Sequence, residues 1–128
     1  MPLAHEDLTE RIIGAAIEVH RRLGPGFLES AYEKALVIEL GKRGLGAPSQ
    51  VEVPLVYDGV QIGIHILDLL VERTIVVELK AVKNLDDVHF AVVRSYLRAA
   101  GLEHGLILNF SKIPLEIKRV MVRKTESD

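Results

Sequence analysis

Two hydrophobic rhythms divide the chain. Leu8, Ile12, Ala16, Val19 and Leu23 recur at three- and four-residue steps, with Ile13 and Ile17 widening the stripe. This spacing predicts an amphipathic helix over residues 6–23. Gly24-Pro25-Gly26 ends it, because proline lacks an amide hydrogen and glycine accepts positive φ. A second helix is predicted from Phe27 to Leu40, with Ala31, Tyr32, Ala35, Leu36 and Leu40 inward, closed by Gly41 and Gly44. The rhythm then changes. Val51 to Tyr57 reads as a strand, followed by the turn signal Asp58-Gly59. Ile62 to Val71 and Ile75 to Val82 are strands apolar on both faces, joined by Glu72-Arg73-Thr74. Strands of that kind are usually central and covered on both sides. Asp87 to Ala100 is helical and stops at Gly101. Gly105 to Phe110 is a short apolar strand, and Leu115 to Arg123 alternates after Pro114. The order α-α-β-β-β-α-β-β predicts an α+β mixed sheet flanked by helices. With 128 residues, no internal repeat and no linker, it predicts one domain over 1–128.

Composition narrows the function classes. An apolar fraction of 48% against 27% charged excludes a disordered chain or a coiled coil. Without cysteine there are no disulfides and no thiolate zinc site. No segment reaches the roughly 18 apolar residues that span a bilayer. The start is acidic early, at Glu6 and Asp7, with no basic-then-apolar leader, so a cytoplasmic protein is expected. Sixteen basic residues against eighteen acidic ones give a net charge of −2. Such a balance lacks the basic field of an obligate nucleic-acid binder, so any polyanion site must be local. Three Tyr, three Phe and no Trp are few for an extended base-stacking platform.

Charged residues interrupt the strands that should be core. Asp68 lies in a run of Ile, Leu and Val, and Glu78 lies in the next one. A buried carboxylate is costly unless it is paired or coordinates a metal. Alternation along a strand puts Glu78 and Lys80 on one face. Asp68 joins that face only if Glu72-Arg73-Thr74 is a three-residue loop, pairing Val71 with Ile75; a two-residue loop turns Asp68 to the other face. A shared site therefore predicts an odd loop or a bulge. Two acids facing each other need a cation between them. Lys80 is one candidate, and a divalent metal such as Mg²⁺ or Mn²⁺ is the other. Glu29 falls in line with Tyr32, Leu36 and Leu40 on the second helix, continuing its inward stripe. It also sits in the first helical turn, where a solvated Glu is favoured.

These residues carry a resemblance. Gly26-Phe27-Leu28-Glu29-Ser30-Ala31-Tyr32 matches G-x-x-E-x-x-Y, and Asp68 followed by Glu78-Leu79-Lys80 matches D…E-x-K. Val19-His20, Leu23-Gly24, Tyr96-Leu97 and Gly105 to Phe110 add to the match. Together they resemble the GxxExxY protein family of the PD-(D/E)XK nuclease superfamily. The resemblance implies a restriction-endonuclease-like αβββαβ core, here with an extra N-terminal helix and an extra C-terminal strand. It implies metal ligation by Asp68, Glu78, the Leu79 carbonyl and Glu29, with Lys80 polarising the attacking water. Tyr32 and Tyr96 would stand behind the ligands, and His20 is a further candidate for that place. Val92 occupies the position where the family usually carries a glutamine, and Leu67 replaces the leading proline.

The implied activity is Mg²⁺- or Mn²⁺-dependent hydrolysis of DNA or RNA phosphodiesters. Arg94 and Arg98, one turn apart on the later helix, are candidate phosphate contacts, and Lys83, Lys112, Lys118, Arg119, Arg123 and Lys124 add positive charge nearby. His65 should face away from Asp68 by alternation, and His5, His89 and His104 show no ligand spacing. A second expectation is a non-catalytic binding or assembly module that keeps the fold. Val92 favours it, and the near-neutral charge suits a protein partner or a homodimer.

Overall fold

The computed structural model describes residues 5–123. Three helices, α1 (Glu6–Leu23), α2 (Glu29–Lys42) and α3 (Asp87–Ala100), surround five strands. These are β1 (Ser49–Tyr57), β2 (Val60–Val71), β3 (Ile75–Lys80), β4 (His104–Asn109) and β5 (Glu116–Met121). They form one mixed sheet in the order β1-β2-β3-β4-β5. Only β3 and β4 are parallel. That pair needs a crossover, and α3 supplies it. The result is the expected restriction-endonuclease-like αβββαβ core with α1 in front and β5 behind. No helix among the described residues is long and apolar enough to cross a membrane.

The two faces of β3 explain its sequence. Ile75, Val77 and Leu79 pack with Ile12, Ala16, Leu36 and Leu40 under α1 and α2. Val76 packs with Val93, Leu97 and Ile107 under α3. β3 is apolar on both sides because helices cover both sides, as its composition predicts. β2 departs from that expectation. Ile62, Ile64 and Ile66 are 67%, 49% and 47% exposed, since the outer half of the β1–β2 hairpin extends beyond the helices. Ile17 and Leu23 are likewise exposed, because α2 and the sheet cover a narrower stripe of α1 than its apolar positions offer.

Local chemistry sets the helix ends. At α3 the His89 Nδ1 accepts the Asp86 amide at 2.9 Å, a cap that accounts for this histidine. Gly101, at φ 71°, closes the other end. α2 begins at Glu29 rather than Phe27. Tyr32 keeps the preceding residues in the turn: its hydroxyl donates to the Gly24 carbonyl at 2.6 Å and accepts the Phe27 amide at 3.2 Å. The Tyr32 ring is buried and stacks on Phe110, centroids 4.3 Å apart. Tyr32→Phe keeps the stack and removes both hydrogen bonds. It should lower stability by about 1–3 kcal/mol, read from the midpoint of denaturant unfolding.

Candidate active site

Register decides whether the acids meet. Glu72 and Arg73 adopt left-handed backbone, at φ 51° and 57°, and the Thr74 amide closes on the Val71 carbonyl at 3.0 Å. Val71 pairs with Ile75 and Leu69 with Val77, so the loop has three residues and Asp68 comes opposite Glu78. The ladder ends at Leu69. Beyond it the Leu79 amide donates to Asp68 Oδ2 at 2.9 Å, a carboxylate standing where strand backbone would be. The alternation of β2 also slips there. Leu67 is buried on the α3 face, whereas Leu69 is buried under α1 and α2. Across from Asp68, Gln50 of β1 is left-handed at φ 53° and falls between the paired Ser49 and Val51. This local irregularity opens a wedge between β2 and β3. The amide and carbonyl of a strand residue point the same way, so the Leu79 carbonyl also faces that wedge.

The wedge sets two acids, Asp68 and Glu78, against one amine, Lys80. Glu78 is buried, and its Oε1 has no hydrogen-bond partner. Burial, then the neighbouring Asp68, push its carboxyl up to about 8. Burial also raises Asp68, against the pull of the Leu79 amide and Lys80. Glu29 adds an upward push on both. Lys80 is the amine that answers them, its Nζ 3.9 Å from Glu78 Oε2.

A family model for the PD-(D/E)XK nuclease superfamily matches residues 6–120. The chain belongs to the PD-(D/E)XK nuclease superfamily. No curated protein and no solved structure matches it. Superfamily nucleases generally use divalent metals, and the residues present fit one. Glu78 and Asp68 are hard oxygen donors, and the unpartnered Oε1 of Glu78 is a buried lone-pair site that a cation would satisfy. Among the described residues no three His, Asp or Glu side chains gather closely enough to hold an ion alone. The residues that would hold one are therefore Asp68, Glu78 and the Leu79 carbonyl.

The other expected residues of this superfamily member lie as follows. Glu29 reaches β3, but its Oε2 accepts the Ala81 amide at 3.1 Å. It holds the segment just after Lys80. Tyr96 lies within the field of Glu78 and Asp68, which, after burial, raise its phenol. Tyr32 binds the α1–α2 turn. His20 bonds the Lys112 carbonyl at 2.8 Å and leans on Phe110. Arg94 and Arg98 sit two positions either side of Tyr96, roughly 200° around a helix, so they take the opposite flank from it. Lys124 lies outside the described residues.

Alternation misplaces His65. The slip at Asp68 leaves His65 on the α3 face, edge-on to Tyr96 with ring centroids 4.7 Å apart. Its Nε2 is 2.8 Å from Ser95 Oγ. Three neighbours escaped sequence reasoning. Glu33 accepts the Gln50 amide at 2.7 Å, and burial followed by the charge of Asp68 raises its carboxyl. Asn109 is fully buried. It accepts the Val82 amide at 3.1 Å and donates to the Val82 carbonyl at 2.9 Å, fixing the backbone after Lys80. The signal for Asn109 was there: an amide ending the apolar run Leu106-Ile107-Leu108.

Proposed function

We propose that the protein hydrolyses nucleic-acid phosphodiester bonds with Mg²⁺ or Mn²⁺, as a member of the GxxExxY branch of its superfamily. One observation carries this reading. Glu78, beside Asp68 and with its Oε2 3.9 Å from the Lys80 ammonium, keeps its buried Oε1 without a partner. A structural salt-bridge cluster would satisfy its buried oxygens, whereas this one sets two acids against one amine and leaves a buried carboxyl oxygen unpartnered. Asp68, Glu78 and the Leu79 carbonyl would hold the cation. It would supply charge neutralisation at the phosphate and acidify a water.

The chain's own residues perform the remaining work. The Leu79 amide orients the Asp68 carboxylate through Oδ2, and Oδ1 would be the oxygen offered to a cation. Lys80 presents a compact positive charge to the phosphoryl oxygens, where charge develops in the transition state. Glu29 and Asn109 hold Ala81 and Val82, so the amine is carried on fixed backbone. Tyr96 closes the α3 side of the wedge.

Purified protein with Mg²⁺ or Mn²⁺ should cut DNA or RNA, and EDTA should stop it. Asp68→Asn should lose at least about a hundredfold in rate. Activity undiminished in Asp68→Asn would assign the cutting to another site. A non-catalytic module is the second reading, favoured by the apolar Val92 one turn before Tyr96. It predicts no cutting with any divalent cation.

A further inference from the structure

The loops at the Lys80 end of the sheet join into a closed ring. Glu29 binds the Ala81 amide at 3.1 Å, and three residues later Asn84 accepts the Lys112 ammonium at 3.3 Å. The Lys112 carbonyl binds His20 at 2.8 Å, in the last turn of α1. From His20 the chain runs through Gly24 to Phe27, where the Tyr32 hydroxyl fastens the turn, and two residues on it returns to Glu29. The ring therefore passes beside the acids.

Its outer surface has an unusual composition. Phe27 is 48% exposed, Leu28 79% and Ile113 76%. Phe27 meets Tyr32 in a T-shaped contact, with the rings 88° apart, and about half of the residue stays accessible. Lys83 and Lys112 lie on the same ring, and Lys83 has no ion pair among the described residues. Apolar groups at the mouth of a phosphate-processing site have no counterpart on a duplex, whose bases are stacked inside. They do match a strand whose bases are unstacked, while the two lysines match its phosphates. A long duplex tract would require a string of cations, which a chain of net charge −2 does not offer here.

We infer that the ring of loops around Phe27, Leu28, Ile113, Lys83 and Lys112 is a subsite for single-stranded polynucleotide, seating one unstacked base on Phe27 next to the hydrolytic acids. This rests on the phosphodiester reading and narrows its substrate. One exposed phenyl ring seats one base, in keeping with the few aromatics of the chain. Leu28 and Ile113 cover its edges. Lys83 and Lys112 contact the adjoining phosphates.

Binding by the full chain tests this apart from cutting. Fluorescence anisotropy in Mg²⁺ would use a labelled phosphorothioate oligonucleotide that resists hydrolysis, single-stranded and annealed, in DNA and RNA arms. At least one single strand should bind roughly tenfold or more tightly than its duplex. Phe27→Ala should weaken that binding roughly 5- to 150-fold, the range for losing one base–aromatic stack, and Phe27→Tyr should restore it. Lys83→Gln should reduce the salt slope by about 0.7. The stronger arm identifies the sugar. Equal or tighter duplex binding, single-strand affinity unchanged in Phe27→Ala, or no binding of any strand would overturn the inference. Cutting is scored separately on unmodified strands. Cutting without Phe27-dependent binding leaves the hydrolase reading standing and removes this one. Phe27-dependent binding without cutting does the reverse.

Discussion

Glu78→Gln is expected to stabilise the metal-free protein at alkaline pH and to abolish its response to Mg²⁺. Glu78 is buried, with one oxygen unpartnered and Asp68 beside it, so the folded chain holds its proton up to about 8. The unfolded chain releases that proton near 4.5. Between those values the folded state binds more protons than the unfolded one, so stability falls as pH rises. The contribution is fully present below about 4.5 and lost once pH passes about 8. At about 1.4 kcal/mol per pK unit, the loss is on the order of a few kcal/mol. Asp68 moves in the same direction, because burial raises it too. Thermal melts from pH 5 to pH 9 would measure this. In EDTA the wild-type melting temperature should fall toward pH 9. Mg²⁺ should restore it, since a cation binds the ionised acids of the folded state. In Glu78→Gln the pH slope should shrink to the part due to Asp68, and the Mg²⁺ shift should vanish with the cutting. A wild-type melting temperature that is flat in EDTA, or an Mg²⁺ shift surviving in Glu78→Gln, would remove these acids from the role assigned to them.

The same two acids show what a sequence can disclose. Asp68 and Glu78 were visible as charges inside apolar strands. Whether they met was not visible, because one residue of register decides it. The loop that sets the register places Glu72 and Arg73 in left-handed backbone, which neither residue type advertises. Gln50 opposite Asp68 is a third such residue without glycine. α1 and α3 were legible to their ends, since Gly24 and Gly101 stop periodic stripes. The start of α2 was not, because a side chain, the Tyr32 hydroxyl, holds Phe27 outside the helix. The outer half of β2 was misread as covered. Apolar residues on both faces mark a strand that could be central, but how far the helices reach is a tertiary fact. His65 was misplaced for the related reason that alternation presumes an unbroken strand.

Lys80→Ala is expected to separate catalysis from metal binding. Lys80 is the amine beside the acids, 3.9 Å from Glu78, with about a fifth of its side chain accessible at 22%. It lowers the pKa of both Asp68 and Glu78, so it competes with a divalent cation for their charge. Removing it should leave Mg²⁺ affinity unchanged or higher at pH 8. The cutting rate should nevertheless fall by roughly a hundred- to a thousandfold, because a charge aimed at the developing negative phosphate is lost. The fall should appear in kcat rather than KM, since phosphate charge grows in the transition state. Lys80→Arg should recover little. A planar guanidinium cannot take the place of a compact ammonium beside Glu78, on a chain whose next two residues are fixed by Glu29 and Asn109. Calorimetric Mg²⁺ titration beside single-turnover cutting gives both numbers on one preparation. Loss of Mg²⁺ binding in Lys80→Ala would make the lysine a structural counter-charge that keeps the wedge folded. An unchanged rate with intact binding would place the amine that meets the phosphate elsewhere on the chain, with Lys83 three residues along the same loop the next to replace.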